Sequence, residues 1–125
     1  MILPQLSPSE WPVMNVVWEH GPIRAKSIHR ILAEEGHPHD LDSVKTYLAR
    51  MLKKGAVAST REGKAYLYSS IVSREAMVEA ELERCWRKLP VPVRGKAVKH
   101  ICSMVREELQ TEDVQDILTL FKAQV

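Results

Sequence analysis

The side chains best suited to binding a ligand lie between Leu41 and Gly55, where hydroxyls and bases share one face of a predicted helix. The apolar residues of this segment recur at the spacing of one helical stripe, i, i+4, i+7 and i+8: Val44, Leu48, Met51 and Leu52. The opposite face is formed by Ser43, Thr46, Ala49, Arg50 and Lys53. An ordinary solvated face mixes acids and bases, but no acid occurs from Ser43 to Gly55. We expect Asp42 to cap the start of this helix and Gly55 to end it.

Short hydroxyls followed by long cationic side chains are suited to binding double-stranded DNA. In the major groove, Ser and Thr can contact base edges, while Lys and Arg reach bases or phosphates. The alternative is an amphipathic helix whose basic, solvated face binds no nucleic acid. The rest of the sequence bears on that choice.

Composition indicates a folded protein of one domain, or of one domain with an appendage. The chain has 125 residues, of which 45% are hydrophobic and 27% are charged. Its start does not resemble a secretory signal, no apolar run reaches the roughly 20 residues of a membrane span, and the two cysteines are far apart. We therefore expect a reduced, cytoplasmic protein without membrane association. Net charge is only +2, but residues 41–64 hold six bases and two acids, so positive charge is concentrated around the basic helix.

Two helices are predicted before the basic helix. The first has Ser7 and Ser9 as competing N-caps, and its apolar face is formed by Trp11, Met14, Val17 and Trp18. The second runs from about Arg24 to Glu35, and three basic residues lie on its outward face: Arg24, Lys26 and Arg30. Residues 36–40 form the break that follows. A helix, a short turn and a basic helix in this order indicate a DNA-binding helix-turn-helix.

A β-hairpin is predicted after Gly55. Residues 57–60 and 65–69 are rich in strand-forming types, and residues 61–64 form a turn in which Gly63 supplies positive φ. A hairpin after a helix-turn-helix is a wing, and Arg61 and Lys64 at its tip are placed to contact phosphates. The alternative is a solvated hairpin whose charges have no function.

Residues 73–125 are predicted to form three amphipathic helices: one from Ser73 to the prolines at 90 and 92, one from about Arg94 to Leu109, and one capped by Thr111. Short helices of this kind make a thin core alone and are more stable against a second copy. We therefore predict a homodimer with an apolar interface of Val78, Leu82, Trp86, Leu89, Ile101, Val105, Ile117, Leu118 and Phe121. The alternative is that these helices fold back onto the first unit. The predicted domains are residues 1–72, for DNA binding, and residues 73–125, for dimerisation.

Taken together, these motifs resemble the BlaI/MecI/CopY family of bacterial winged-helix repressors, also called penicillinase repressors. The segment SPSEWPVMNVVWEHG is similar to the family's opening signature, with a second Trp seven residues after the first. SVKTYLARMLKKGAV is similar to its recognition helix, although Ser43 stands where Thr is more usual. REGKAYLYSSIVSREA resembles its wing and the entry to its dimer helices. The resemblance covers residues 7–88 well and the remainder loosely.

The resemblance implies a dimeric repressor that binds a short palindromic operator and blocks transcription. By position, it implies that the bases are contacted by Ser43, Lys45, Thr46 and Arg50. The expected contacts to the DNA backbone are Lys53, Lys54, Arg61 and Lys64, together with Lys26 on the outward face of the second helix.

Two departures from the family concern how such a repressor is inactivated. The copper-sensing branch ends in a C-x-C…C-x-C motif, whereas this chain ends LTLFKAQV, so we expect no metal and no other cofactor. The β-lactam branch is cleaved at an Asn-Phe bond, whose place is taken here by Cys102-Ser103. The cleavage-site sequence therefore does not support a regulatory protease as a partner.

Other candidate sites have less support. His37 and His39 beside Asp40 form an alternative metal site without an evident further ligand, and His100 and Cys102 do not share a helix face. Catalytic motifs such as G-x-S-x-G, a P-loop or H-E-x-x-H are missing, so we expect no enzyme. Cys85 and Cys102 are expected to be small core residues, with a redox switch as the alternative.

The predicted fold is mainly α: a winged helix-turn-helix of three helices and a β-hairpin wing, followed by a helical dimerisation region. The predicted function is a sequence-specific, DNA-binding transcriptional repressor. The alternative function is a winged-helix protein-interaction module without DNA binding, which would need no one-sided excess of bases on the third helix.

Overall fold

Three helices and a β-hairpin form the first part of the molecule. The computed structural model describes residues 2–37 and 39–122. α1 is Glu10–His20, α2 is Ala25–Glu34 and α3 is Leu41–Lys54. They are followed by the antiparallel strands β1 (Val57–Glu62) and β2 (Ala65–Ser70), and then by α4 (Arg74–Arg87). This is the order of a winged helix, and the predicted fold class is confirmed.

The three helices share one hydrophobic core. Its fully buried side chains come from the predicted apolar stripes: Val13 and Met14 of α1, Ile28 and Leu32 of α2, and Val44, Leu48 and Met51 of α3. Burying an aliphatic side chain of this size stabilises the fold by about 1.5–3 kcal/mol. Leu52 was placed on the same stripe of α3, but it is 36% exposed, so the buried stripe of this helix ends at Met51.

The start of α3 differs from the prediction. Asp40, not Asp42, is the N-cap, and its Oδ1 accepts a hydrogen bond of 2.7 Å from the backbone N–H of Ser43. That hydrogen bond holds the pKa of Asp40 below its ordinary value. A capping carboxylate binds an N–H two or three residues further along the helix. Because Asp40 is the N-cap, Asp42 lies two residues later, inside the first turn. The end of α3 is as predicted, with Gly55 in the left-handed conformation at a φ of 82°.

A buried carboxylate joins the start of α1 to the end of α3. The Oε1 atom of Glu10 accepts hydrogen bonds from the backbone N–H of Ser7, at 2.8 Å, and from the ammonium group of Lys54. The Ser7 hydroxyl accepts the Glu10 N–H in return, at 3.3 Å, whereas Ser9 at the N-cap makes no side-chain capping bond. Burial opposes ionisation, but the hydrogen bonds from Lys54 and Ser7 outweigh it and hold the pKa of Glu10 below its ordinary 4.5. Glu10 therefore fixes the C-terminal turn of α3 against α1.

The hairpin is longer, and its turn tighter, than predicted. The strands pair as far as Glu62 and Ala65, which leaves a two-residue turn of Gly63 and Lys64. Gly63 has a φ of 63°, as short hairpin turns with glycine at the first central position require. Ile23, in the segment between α1 and α2, exchanges two backbone hydrogen bonds with Tyr68 of β2. The hairpin is thereby anchored to the helices.

The described residues form two compact units, one ending at Glu83 and the other beginning at Arg84. The first unit includes the first turns of α4 because Met77 is fully buried in its core. The second contains a 3₁₀ turn (Val91–Val93), α5 (Arg94–Val105), which ends earlier than predicted, and α6 (Thr111–Lys122). Within the described residues, no helix has the length and apolarity needed to cross a membrane.

Large apolar side chains of α5 and α6 lie on the surface of the single chain. Ile101 is 50% exposed and Phe121 is 63% exposed. Cys85 and Cys102 are exposed thiols, so the expectation that they are small core residues is wrong. The apolar stripes of this unit therefore do not build a closed core within one chain.

We expect the Glu10→Gln variant to be less stable than the wild type at neutral pH by about 1.5–3 kcal/mol, the usual contribution of a hydrogen bond to a charged group. Because the folded-state pKa of Glu10 lies below 4.5, the unfolded chain binds the proton first as the pH falls. The stabilisation by ionised Glu10 is thus present above pH 4.5 and is lost as the pH falls through the folded-state pKa. Denaturant unfolding from about pH 6 to about pH 3 should show the difference between the two proteins shrinking.

The matched control is Glu34→Gln, which removes a negative charge from the exposed end of α2. We expect its stability to follow that of the wild type across the same pH range. A difference between wild type and Glu10→Gln that stays constant down to about pH 3 would contradict the assignment.

Candidate nucleic-acid interface

α3 presents one polar stripe on the side away from the core. Thr46, Arg50 and Lys53 are exposed, and Ser43 is half-buried at the start of the helix. At about 100° per residue, these four positions fall within one quarter of the helix circumference. The structure therefore brings together the hydroxyls and bases that the sequence pattern placed on one face.

The hydroxyl of Thr46 is engaged within the helix. Its Oγ1 donates a hydrogen bond of 3.0 Å to the backbone carbonyl of Asp42. The side chain consequently offers its methyl group and its oxygen lone pairs to a ligand, but not its proton. This hydrogen bond was not among the sequence-based predictions, although Ser and Thr inside helices commonly donate to the carbonyl four residues earlier.

The tip of the hairpin carries an ordered arginine. Arg61 Nε donates to the carbonyl of Gly63 at 3.1 Å, and its guanidinium lies 5.8 Å from the ring centroid of Tyr66. A guanidinium has five N–H donors, so the remaining ones can bind a phosphate from a restricted position. Lys64 is exposed in the turn beside it.

An open groove of about 540 Å³ lies between the start of α2, α3 and the hairpin. Three of the predicted DNA-contacting residues line it: Lys26, Lys45 and Lys64. Arg24, an outward-facing base with no contact predicted from the sequence, lines the same groove, as do Tyr66 and Tyr68. Glu62 is the acid among these lining residues, so the groove has an excess of positive charge. The N-terminus of α2 adds the positive end of its helix dipole.

The structure changes the expectation for two lysines. Lys54 was predicted to contact the DNA backbone, but its ammonium group is bound to the buried carboxylate of Glu10. Releasing the ammonium group would leave the Glu10 carboxylate buried without its partner, so Lys54 is not among the proposed DNA contacts. Lys45 was predicted to contact bases, but it lines the groove beside the hairpin, about 200° around α3 from Ser43.

The histidines before α3 do not form a metal site in the described part of the chain. No group of three or more His, Cys, Asp or Glu side chains among residues 2–37 and 39–122 is arranged to hold a metal ion. His39 instead packs edge-on against Tyr47, with 5.6 Å between ring centroids. This contact supports the segment that leads into α3.

Comparison with known proteins finds similar sequences and folds among bacterial repressors. The chain is 28% identical over 79 residues to the penicillinase repressor of Bacillus licheniformis, which covers 63% of this chain and 61% of that protein. The match thus spans about three fifths of the relative's length. The solution structure of the DNA-binding domain of the repressor BlaI has a TM-score of 0.52 and 29% identity, covering 58% of this chain and 88% of that one.

A second similar structure contains DNA. It is the solution structure of the monomeric form of Bacillus licheniformis BlaI in complex with the blaP half-operator. Its TM-score is 0.50 and its identity 28%, with 59% of this chain and 89% of that one covered.

The match to a family model extends over almost the entire chain. The model of the penicillinase repressor matches residues 6–123, which include both compact units. With the winged helix and the basic face of α3 already established, the family resemblance noted in the sequence is confirmed, and this chain belongs to the penicillinase repressor family.

Proposed function

We propose that this protein is a transcriptional repressor that binds a palindromic DNA operator sequence-specifically as a homodimer. The observation that carries the proposal is the polar stripe of α3, where Thr46, Arg50 and Lys53 are exposed beside a cationic groove. Helix, groove and wing together match what a duplex requires: base-edge contacts in the major groove and cations along the flanking phosphates. Family membership and the BlaI half-operator complex support the same function.

Base contacts are assigned to the first part of the polar stripe. Arg50 has the length and planar fork to donate two hydrogen bonds to the O6 and N7 atoms of a guanine. Thr46 presents its methyl group, since its proton is bonded to Asp42, and a methyl fits against the methyl of thymine. Ser43, at the N-terminal turn, is placed for a base contact of either polarity.

Phosphate contacts are assigned to the cations around this stripe: Arg24, Lys26, Lys45, Lys53, Arg61 and Lys64. Arg24, Lys26, Lys45 and Lys64 line one groove, so a single stretch of backbone can contact all four. Neutralising phosphates releases counterions, which makes binding strongly salt-dependent but carries no sequence information.

Dimerisation is assigned to the apolar side chains of α4 to α6 and the segment between α4 and α5. The proposed interface consists of Val78, Leu82, Trp86, Leu89, Ile101, Val105, Ile117, Leu118 and Phe121. All except Leu89 and Val105 are exposed in the single chain. Association of two chains would bury these exposed apolar side chains and so stabilise the dimer. A two-fold dimer would repress by occupying both half-sites of a palindrome.

A selection from random duplex DNA with the purified full chain, followed by gel shifts on the promoter of its own gene, tests this proposal. We expect one inverted-repeat sequence to be enriched and to be bound about 10³-fold or more above random duplex. A protein-interaction module would enrich no sequence.

In the first prediction from this assignment, Arg50→Ala weakens binding to the selected operator by about 1–3 kcal/mol and leaves binding to random duplex nearly unchanged. Lys53→Ala is the matched variant on the same stripe. This variant should weaken binding to the operator and to random duplex by the same factor, and it should reduce the slope of log affinity against log salt by about one. Titrations at several salt concentrations measure both effects, and equal behaviour of the two variants would reverse the assignment.

A second prediction concerns which part of Thr46 contacts DNA. Thr46→Val keeps the methyl group of threonine and replaces the hydroxyl that is bonded to Asp42 by a second methyl, so operator affinity should change little. Thr46→Ser keeps the hydroxyl and loses the methyl group, which should cost about 0.8 kcal/mol, or roughly fourfold in affinity. A larger loss of operator affinity for Thr46→Val than for Thr46→Ser would show that the hydroxyl contacts the base.

A third prediction tests the dimer. Leu118→Glu places a charge on the exposed apolar stripe of α6 and should shift the protein to monomers in sedimentation experiments. Because the second half-site then binds independently, affinity for the full operator should fall by about 10²-fold or more, while half-site affinity is retained. Thr119→Glu, on the other side of α6, is the control and should remain dimeric. A dimeric Leu118→Glu protein would refute this interface.

A further inference from the structure

The connection between β2 and α4 is hydrogen-bonded on two sides. Val72 exchanges hydrogen bonds with Ser70 at the end of β2: its carbonyl accepts from Ser70 Oγ at 2.7 Å, and its N–H donates to the same atom at 3.2 Å. The same carbonyl accepts a second hydrogen bond, of 3.2 Å, from the indole Nε1 of Trp18 in α1. Trp18 therefore joins the connection to a helix 54 positions earlier in the chain.

The first turn of α4 is attached to the same tryptophan. The guanidinium of Arg74 lies 5.9 Å from the ring centroid of Trp18, and Met77, one turn later, is fully buried in the core. Ser73 caps the helix by accepting the N–H of Ala76. The Trp18 ring also packs against the ring of Trp11, with 5.9 Å between centroids and 50° between the ring planes. Because an α-helix is stiff over a few turns, fixing its first turn fixes the direction in which it continues.

We propose that Trp18 is a positioning residue that sets the spacing between the two half-sites the dimer accepts. It does so by holding the first turn of α4, the helix that leads to the dimer interface, at a fixed angle on the winged helix. This inference rests on the proposed function. Trp18 lies in α1, outside the polar stripe of α3 and outside the groove, so its effect on DNA binding passes through α4.

Spacing selectivity follows from the stiffness of this attachment. In a dimer, the second half-site is bound intramolecularly, and its contribution is lost if the geometry prevents both winged helices from engaging. Each inserted base pair moves one half-site by about 3.4 Å and rotates it by about 35°. A dimer in which α4 leaves each winged helix at a fixed angle cannot follow that change. A dimer in which the first turn of α4 is loosely attached to the winged helix can.

The test compares Trp18→Phe with Trp11→Phe in the full-length protein. Phe at position 18 keeps an aromatic face but cannot donate to Val72, while Phe at position 11 changes the neighbouring ring and leaves that donor in place. The probes are the half-site and the inverted repeat selected by the wild type from random duplexes, the repeat being made with zero, one or two base pairs inserted at its centre. The measured quantity is the affinity ratio of repeat to half-site at each spacing.

For the wild type and Trp11→Phe, we expect this ratio to fall about 10²-fold on insertion of one or two base pairs. For Trp18→Phe, we expect half-site affinity equal to that of the wild type but a ratio that changes less than about threefold across the three spacings. Arg74→Met, which removes the cation from the Trp18 ring at an exposed position, should give an intermediate dependence on spacing.

Wild-type spacing dependence in a folded Trp18→Phe protein would overturn this inference and leave the proposed function intact. If Trp18→Phe does not fold, wild-type dependence in Arg74→Met overturns it instead. Failure of the wild type to enrich any duplex would overturn the proposed function, and this inference with it.

Discussion

The arrangement of α1 and α3 depends on a single buried charge. An ionised carboxylate inside a protein is tolerated only where a partner and hydrogen bonds replace its water. Glu10 obtains these from Ser7 and Lys54, so the first turn of α1 and the last turn of α3 must stay in one register. A shift of α3 along α1 would leave a charge buried without its partner. The same constraint takes one lysine out of the cationic surface while Arg50 and Lys53 remain exposed.

The proposed DNA surface makes two kinds of contact. In this proposal, the polar stripe of α3 supplies short and planar groups that distinguish bases, and the groove beside it supplies cations that neutralise phosphates. The groove exists because the hairpin is attached to the helices through the backbone pair of Ile23 and Tyr68. Without that pair, the cations at the start of α2 and at the wing would not be held around the same space.

The path from this surface to the proposed dimer runs through the start of α4. Trp18 and Met77 attach the first turns of α4 to the winged helix, and exposed apolar side chains continue along α4 and the helices after it. In the proposed dimer, the polar stripe of α3 would set which half-site is bound, and the attachment of α4 would set which pairs of half-sites are bound together. Sequence specificity and spacing specificity can therefore change independently.

The sequence by itself determined the helices α1 to α3, the glycine that ends α3, the hairpin and the polar stripe of Ser43, Thr46 and Arg50. Each of these follows from the local spacing of apolar residues or from a backbone conformation that one residue type favours. Only the tertiary structure decided that Lys54 pairs with Glu10, 44 positions away, and that Arg24 lines the groove. It also decided that the indole of Trp18 donates a hydrogen bond to the carbonyl of Val72. Contacts between positions so far apart leave no periodic signal, because they depend on how helices pack and not on how any one of them forms.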